Sequence, residues 1–163
     1  MRKFILVLVA FFVLGCDGNE RHHMTLNDED GFKTTFDSSK KELKIVGHNK
    51  PFILYFFSSD CGACAEQAPI LENLAKEFGE NVRIIGVLGD SHGLDKDIKT
   101  LKEKNISFPT ATSKKSAMYL ANMVGGVMGT PMSVIFDKNG KIVKQLLGLY
   151  PKSAFENELK LLL

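Results

Sequence analysis

Cys61-Gly62-Ala63-Cys64 is the arrangement in this sequence whose residue types and spacing specify a chemistry. Two thiols two residues apart can meet in a disulfide, exchange that disulfide with another molecule, or supply half of a tetrahedral metal site. The metal reading needs two more ligands. The chain has only three cysteines, so histidines would have to complete the set, and His48 and His92 are the candidates. A purely structural disulfide is the third reading. The surroundings favour exchange. Pro51-Phe52-Ile53-Leu54-Tyr55-Phe56-Phe57 is an unbroken apolar run that reads as a strand buried on both faces. Ser58-Ser59-Asp60 breaks it. Helical spacing follows from Cys61 to Phe78, with Ala65, Ala68, Leu71, Leu74, Ala75 and Phe78 inward and Gly79 as the stop. Cys61 is therefore expected in the first helical turn, where unpaired N–H groups and the helix dipole stabilise a thiolate and lower its pKa. Cys64 falls one turn further in, on the same face and more buried. Gly62 and Ala63 are small and leave Cys61 open to a protein substrate. Asp60 is expected at or near the N-cap, where its charge would disfavour the thiolate and raise the Cys61 pKa.

The third cysteine has a different setting. Residues 1–16 read MRKFILVLVAFFVLGC, two basic residues followed by the apolar run Phe4 to Leu14. A membrane span needs about 20 apolar residues, so this run is too short for one and suits the core of a secretory signal peptide. Val13-Leu14-Gly15-Cys16 resembles the bacterial lipobox, whose cysteine is acylated and becomes the new terminus. Lipid on Cys16 would anchor the chain to a membrane. Asp17 resembles the inner-membrane retention signal of enteric bacteria. The expected organisation is a signal peptide over 1–15, a lipidated tether over 16–23 and one folded domain over 24–163. The formal net charge of +2 includes Arg2 and Lys3; without them 19 basic residues face 19 acidic ones, which gives no general reason to bind nucleic acid. The polar stretch 17–23 reads as a solvated tether, because His22 and His23 lack the further ligands a metal site needs.

The other elements must hold the cysteine pair in place. Two short segments between Met24 and Phe36 flank an acidic turn ending in Gly31 and read as a β-hairpin, while residues 37–50 show no clear pattern. Val82 to Leu88 is a second apolar strand, Leu94 to Lys104 a helix with Ile98 and Leu101 inward, Ile106 to Thr110 an extended segment, and Lys114 to Val124 a helix. A glycine-rich loop leads to Thr130-Pro131 and a strand from Met132 to Phe136. Asp137-Lys138-Asn139-Gly140 then signals a tight turn into a strand over Ile142 to Leu147. A last helix starts near Pro151 and buries Phe155, Leu159 and Leu162. Strand, helix, strand, helix, hairpin and helix in that order give a three-layer α/β domain with a mixed central sheet.

The buried strand leading into CGAC, Pro69 five residues after Cys64, Thr130-Pro131 before a strand, the turn at Asp137 to Gly140 and the extra strand–helix segment over 82–108 together resemble the thioredoxin superfamily. Within it, they resemble the membrane-tethered TlpA/ResA-like thiol-disulfide oxidoreductases, across roughly residues 24–163. The resemblance implies a thioredoxin-like fold with an N-terminal β-hairpin and a central strand–helix insertion. It implies a cis bond between Thr130 and Pro131 that opens the Thr130 backbone to an extended substrate. It implies Cys61 as the attacking thiolate, Cys64 as the resolving thiol, and no cofactor beyond that disulfide. The partners it implies are protein disulfides or thiols, those of apocytochrome c among them, and a membrane thiol carrier as electron donor, in the cell envelope. Reduction is the expected direction. Oxidation or isomerisation is the alternative, since Thr130 before the proline is reminiscent of the isomerase branch, and a non-catalytic binding module is another. Three residues depart from the pattern. Asp60 replaces a tryptophan, Tyr55 stands six positions before the first cysteine where an acid or amide is usual, and Gln67 stands where ResA-like proteins have a glutamate, with Glu66 one place earlier. One helical residue is a rotation of about 100°, so Glu66 as the proton-transfer group is a candidate only.

Overall fold

The computed structural model describes residues 18–163; the signal segment, Cys16 and Asp17 lie outside the described residues. The central sheet has six strands in the order β2 (Thr25–Leu26), β7 (Thr110–Ala111), β6 (Arg83–Leu88), β5 (Phe52–Phe57), β8 (Met132–Phe136) and β9 (Ile142–Leu147). β5 and β6 run parallel, as do β6 and β7, and the remaining pairs are antiparallel. Helices α1 (Gly62–Phe78), α2 (Leu94–Glu103), α3 (Lys114–Met123) and α4 (Lys152–Lys160) complete the layers. This is the expected thioredoxin-like architecture.

β5 lies at the centre and all six of its residues are buried. Its alternate side chains enter two separate cores, as the two-residue repeat of a strand requires. Ile53, Tyr55 and Phe57 pack with Leu71 and Leu74 of α1 and with Phe155 and Leu159 of α4. Phe52, Leu54 and Phe56 pack with Leu120 of α3 and with Leu43 and Phe32 of the second sheet. Phe52 stacks on Phe136 across the β5–β8 pair, with ring centroids 4.4 Å apart. Burial on both faces is why this segment reads as continuous apolar sequence rather than as alternation.

The second sheet holds β1 (Gly18–His22), β3 (Phe32–Asp37) and β4 (Glu42–Ile45) in the order β1-β3-β4. Two expectations are corrected here. The turn Asp28 to Gly31 forms, with the Gly31 N–H donating to the Asp28 carbonyl at 3.2 Å, but its flanks do not pair with each other. β2 pairs with β7 and β3 pairs with β1 and β4, so the N-terminal hairpin is β3–β4. A turn signal is local, whereas a strand's partner is chosen by the whole fold. At the β4 end, the Leu43 N–H donates to the Gly140 carbonyl at 2.8 Å. Gly140 has φ +86° and a Cβ there would lie 2.1 Å from the Leu43 carbonyl oxygen, so the contact between the sheets requires glycine.

The second correction is β1, read from sequence as tether. Glu20 and His22 turn inward while Asn19 and Arg21 face out, a period of two written in polar residues. Glu20 pairs with Lys115 of α3 at 2.6 Å. His22 is fully buried, with Nε2 2.9 Å from Thr34 Oγ1 and its ring 4.6 Å from that of Phe32. Its Nδ1 is buried without a hydrogen-bond partner. Burial pushes the imidazole pKa down from 6.5 to about 4, with Glu20 opposing weakly. The neutral ring is thus favoured by folding, and its contribution is complete above the unfolded value of 6.5 and disappears as pH falls through about 4. Stability should drop across that window by up to ~3 kcal/mol from this group. Urea midpoints of wild type and His22→Phe at pH 7 and pH 4.5 test this: the variant should show a clearly smaller pH dependence, and identical slopes would remove His22 from the account.

Candidate active site

The sequence change from β5 to α1 builds the site. β5 ends at Phe57, the turn Ser58–Cys61 closes through a Cys61 N–H bond to the Ser58 carbonyl at 3.4 Å, and α1 begins at Gly62. Cys61 is the N-cap residue, with extended backbone, and its Sγ accepts the Cys64 N–H at 3.0 Å. Cys61 and Cys64 form a disulfide with S–S 2.01 Å and Cα atoms 5.2 Å apart. Cys61 is partly exposed and Cys64 fully buried, the asymmetry the helical spacing implies. The two thiols are therefore joined to each other, and the candidate zinc partners point elsewhere. His48 Nε2 lies 3.4 Å from the Pro51 carbonyl, and His92 Nε2 lies 3.7 Å from an Asp90 oxygen.

Asp60 does not cap the helix. It is exposed, one residue before the cap, and the Cys61 sulfur already takes the Cys64 N–H that an aspartate at the cap position would have received. The fixed partners of the turn come from β6 instead. Asp90, just beyond that strand, accepts the Ser59 N–H at 2.9 Å and the Ser59 hydroxyl at 2.6 Å and so holds the turn.

The loop before β8 meets the turn that carries Cys61. The Thr130–Pro131 bond is cis, Thr130 is exposed and Pro131 is buried. Thr130 Oγ1 lies 3.1 Å from Ser58 Oγ, so a hydroxyl pair links this loop to the turn that carries Cys61. The Pro131 carbonyl accepts the Gly148 N–H at 2.8 Å, which ties the loop to the end of β9.

Two of the three departures, Tyr55 and Gln67, acquire structural roles. Tyr55 is fully buried and its hydroxyl donates to the Cys64 carbonyl at 2.8 Å; burial pushes its phenol pKa up. Tyr55 is thus a fixed donor beneath the second cysteine rather than an ionised group. Gln67 is fully buried and grips the backbone of Tyr150 from both sides, accepting its N–H at 2.8 Å and donating to its carbonyl at 3.3 Å. Glu66, one helical step earlier, is exposed, and among the described residues no hydrogen bond or ion pair joins it to either cysteine. A side-chain amide satisfies a donor and an acceptor at once, which a carboxylate cannot. That is a physical reason for glutamine at this brace between α1 and the segment leading to α4. Sequence reading missed Lys104, whose Nζ donates to the Cys61 carbonyl at 3.2 Å, and Glu72, which binds the chain at Ser107 and Phe108.

The fold and site match known proteins. A family model described as thioredoxin-like matches residues 49–142, more than half of the chain. The thiol-disulfide oxidoreductase ResA of Bacillus thuringiensis (strain Al Hakam) is 30% identical over 129 residues, which cover 78% of this chain and 71% of that protein. The thioredoxin-like protein YneN of Bacillus subtilis is 23% identical over 147 residues, covering 89% and 79%. Among solved structures, StoA of Bacillus subtilis superposes with TM-score 0.60 at 17% identity, covering 72% of this chain and 88% of that one. A thiol:disulfide interchange protein of Chlorobium tepidum superposes with TM-score 0.59 at 20% identity, covering 78% and 86%. These two show the shared fold; the family model and the ResA relative carry the assignment further. On them, the chain is a member of the thioredoxin-like family and, within it, a thiol-disulfide oxidoreductase of the ResA type.

Proposed function

We propose that this protein reduces disulfides of protein substrates in the bacterial cell envelope, anchored to a membrane through lipid on Cys16. The observation that carries the thiol-disulfide exchange is the asymmetry of the pair: Cys61 is partly exposed at a helix N-cap, in a turn that the exposed Thr130 touches through Ser58, and Cys64 is buried. A substrate strand pairing with the Thr130 backbone brings its disulfide to Cys61. The reduced Cys61 thiolate attacks one substrate sulfur, forming a mixed disulfide and releasing the other sulfur as a thiolate that takes up a proton. Cys64 loses its proton and attacks Cys61 Sγ. The second substrate thiolate leaves and is protonated, and the Cys61–Cys64 disulfide forms. Two electrons and two protons pass to the substrate. A membrane thiol carrier then restores the dithiol by the same exchange in reverse. The two sulfurs carry the whole reaction, so no metal, nucleotide or flavin enters it.

The direction rests on the resemblance to ResA-like proteins, and cysteine pairs of apocytochrome c are the substrate class it suggests. Alkylation trapping in growing cells tests the direction. A pair found mainly reduced supports the reductase, and a pair found mainly oxidised supports an oxidase. The envelope location rests on the apolar run and Cys16. Metabolic labelling with palmitate should mark the wild-type chain, and Cys16→Ala should lose all label while the purified domain keeps full disulfide-reducing activity. Label retained in the variant would remove the lipid anchor.

A further inference from the structure

Lys104 is the one buried lysine or arginine among the described residues, at 8% exposure. Lysine is almost never buried without a partner, because its ammonium is strongly hydrated. Here the position is set by the end of α2. Lys104 is the C-cap, Asn105 has φ +52°, the Asn105 N–H bonds the Lys102 carbonyl at 3.1 Å and the Ile106 N–H bonds the Leu101 carbonyl at 2.8 Å. These are the two bonds of a Schellman turn, which fixes the chain direction at a helix end. A lysine there commonly serves its own helix's last carbonyls. This one instead reaches across the fold, and Nζ donates to the carbonyl of Cys61 at 3.2 Å.

An ammonium has three N–H donors. The Cys61 carbonyl takes one, and no carboxylate pairs with Lys104 among the described residues. The other charged groups of the surrounding elements are engaged elsewhere or exposed. Asp90 is held by Ser59, Asp97 by the Ser91 hydroxyl and the His92 N–H, and Glu72 by Ser107 and Phe108. Glu103 pairs with Lys99 at 3.6 Å, and Asp60, Glu66 and Lys102 are exposed. The buried cation thus meets no fixed anion while the disulfide is closed. Opening the disulfide creates one, on the residue whose carbonyl it already holds.

We propose that Lys104 is a positioning residue for the redox pair: its ammonium fixes the Cys61 backbone and becomes the counter-charge of the Cys61 thiolate once the disulfide opens. This rests on the reading of Cys61 as the attacking thiolate. It gives the insertion containing α2 a chemical task, since the element that separates this chain from a minimal α/β plan delivers the cation. A nearby positive charge favours the thiolate and raises its share at a given pH.

The test is the rate of iodoacetamide alkylation of the reduced protein across pH, with the labelled cysteine located by mass spectrometry. Lys104→Gln keeps a donor without the charge, and Lys104→Met fills the buried space without either. Both should raise the pH midpoint and slow Cys61 labelling below it by about tenfold, whereas Lys104→Arg should stay within about twofold of wild type. The wild-type midpoint itself should lie below the ordinary thiol value of about 8.5; a midpoint at or above it overturns the proposal without any variant. A folded neutral variant with an unchanged or lower midpoint, or an arginine variant shifted as far as glutamine, also overturns it. First labelling at Cys64 in wild type would instead overturn the assignment of Cys61 on which it rests.

Discussion

Cells producing the Cys64→Ser protein will accumulate it in thiol-labile adducts through Cys61, and the Cys61→Ser protein will form none. The reason is geometric. Cys64 is fully buried beneath the helix start, with its carbonyl held by Tyr55, so an incoming disulfide cannot reach it first. Cys61 is partly exposed, in a turn that the Thr130 hydroxyl touches through Ser58, and is the sulfur open to a substrate in the proposed reaction. Once the mixed disulfide has formed, release requires a second thiol within bonding distance of Cys61 Sγ, and Cys64 is that thiol. Serine at 64 preserves size and cannot attack, so the first step proceeds and the second stops. Steady-state reduction of a protein disulfide should fall to the uncatalysed rate in both variants, while only Cys64→Ser retains substrate. Non-reducing electrophoresis of acid-quenched cells separates the cases, and adducts confined to Cys61→Ser would reverse the roles.

How far the sequence discloses this arrangement depends on where each signal is written. The central strand Phe52–Phe57 is legible because burial on both faces leaves only apolar residues. The cysteine pair is legible because its spacing and helix start are local, and α1, α2, α3, β8, β9 and α4 follow from periodicity and turn residues to within a few positions. β1 is not legible. Its inward residues are the polar Glu20 and His22, which meet Lys115 and Thr34, so a hydrophobic pattern has nothing to register. The cap at Cys61 is hidden for a related reason, since a sulfur does the work usually assigned to an oxygen-bearing side chain. Lys104 is the clearest case. In the string Lys102-Glu103-Lys104-Asn105 it looks like one more solvated helix end. Only the return of α2 toward α1 places it on a carbonyl 43 residues away in sequence. The supports of the site are long-range, whereas its reacting atoms are local.

The same distinction locates a costly change outside the cysteines. Glu72 lies on the third turn of α1 at 8% exposure, and its carboxylate accepts the Ser107 N–H, the Ser107 hydroxyl at 2.6 Å and the Phe108 N–H at 3.3 Å. Those residues stand three and four positions after Lys104, and the Phe108 ring meets Tyr55 edge-on with centroids 6.2 Å apart. One carboxylate therefore clamps to α1 the segment that supplies both supports of the cysteine carbonyls, Lys104 for Cys61 and the packing around Tyr55 for Cys64. Glu72→Ala strands the Phe108 N–H in a buried setting and removes charge-assisted bonds, which together should cost ~3 kcal/mol of stability. Glu72→Gln keeps an acceptor and should lose roughly a third as much. Ser107 is itself exposed and water can satisfy part of its demand, which holds the figure below the sum of three fully buried losses. Urea unfolding at pH 7 reads these values directly. If the clamp also sets Lys104, Glu72→Ala should raise the Cys61 alkylation midpoint in the same direction as Lys104→Gln, and by less. A large stability loss with the midpoint unmoved would mean that Lys104 is held by its Schellman turn alone, and an unchanged urea midpoint would mean that Glu72 clamps nothing.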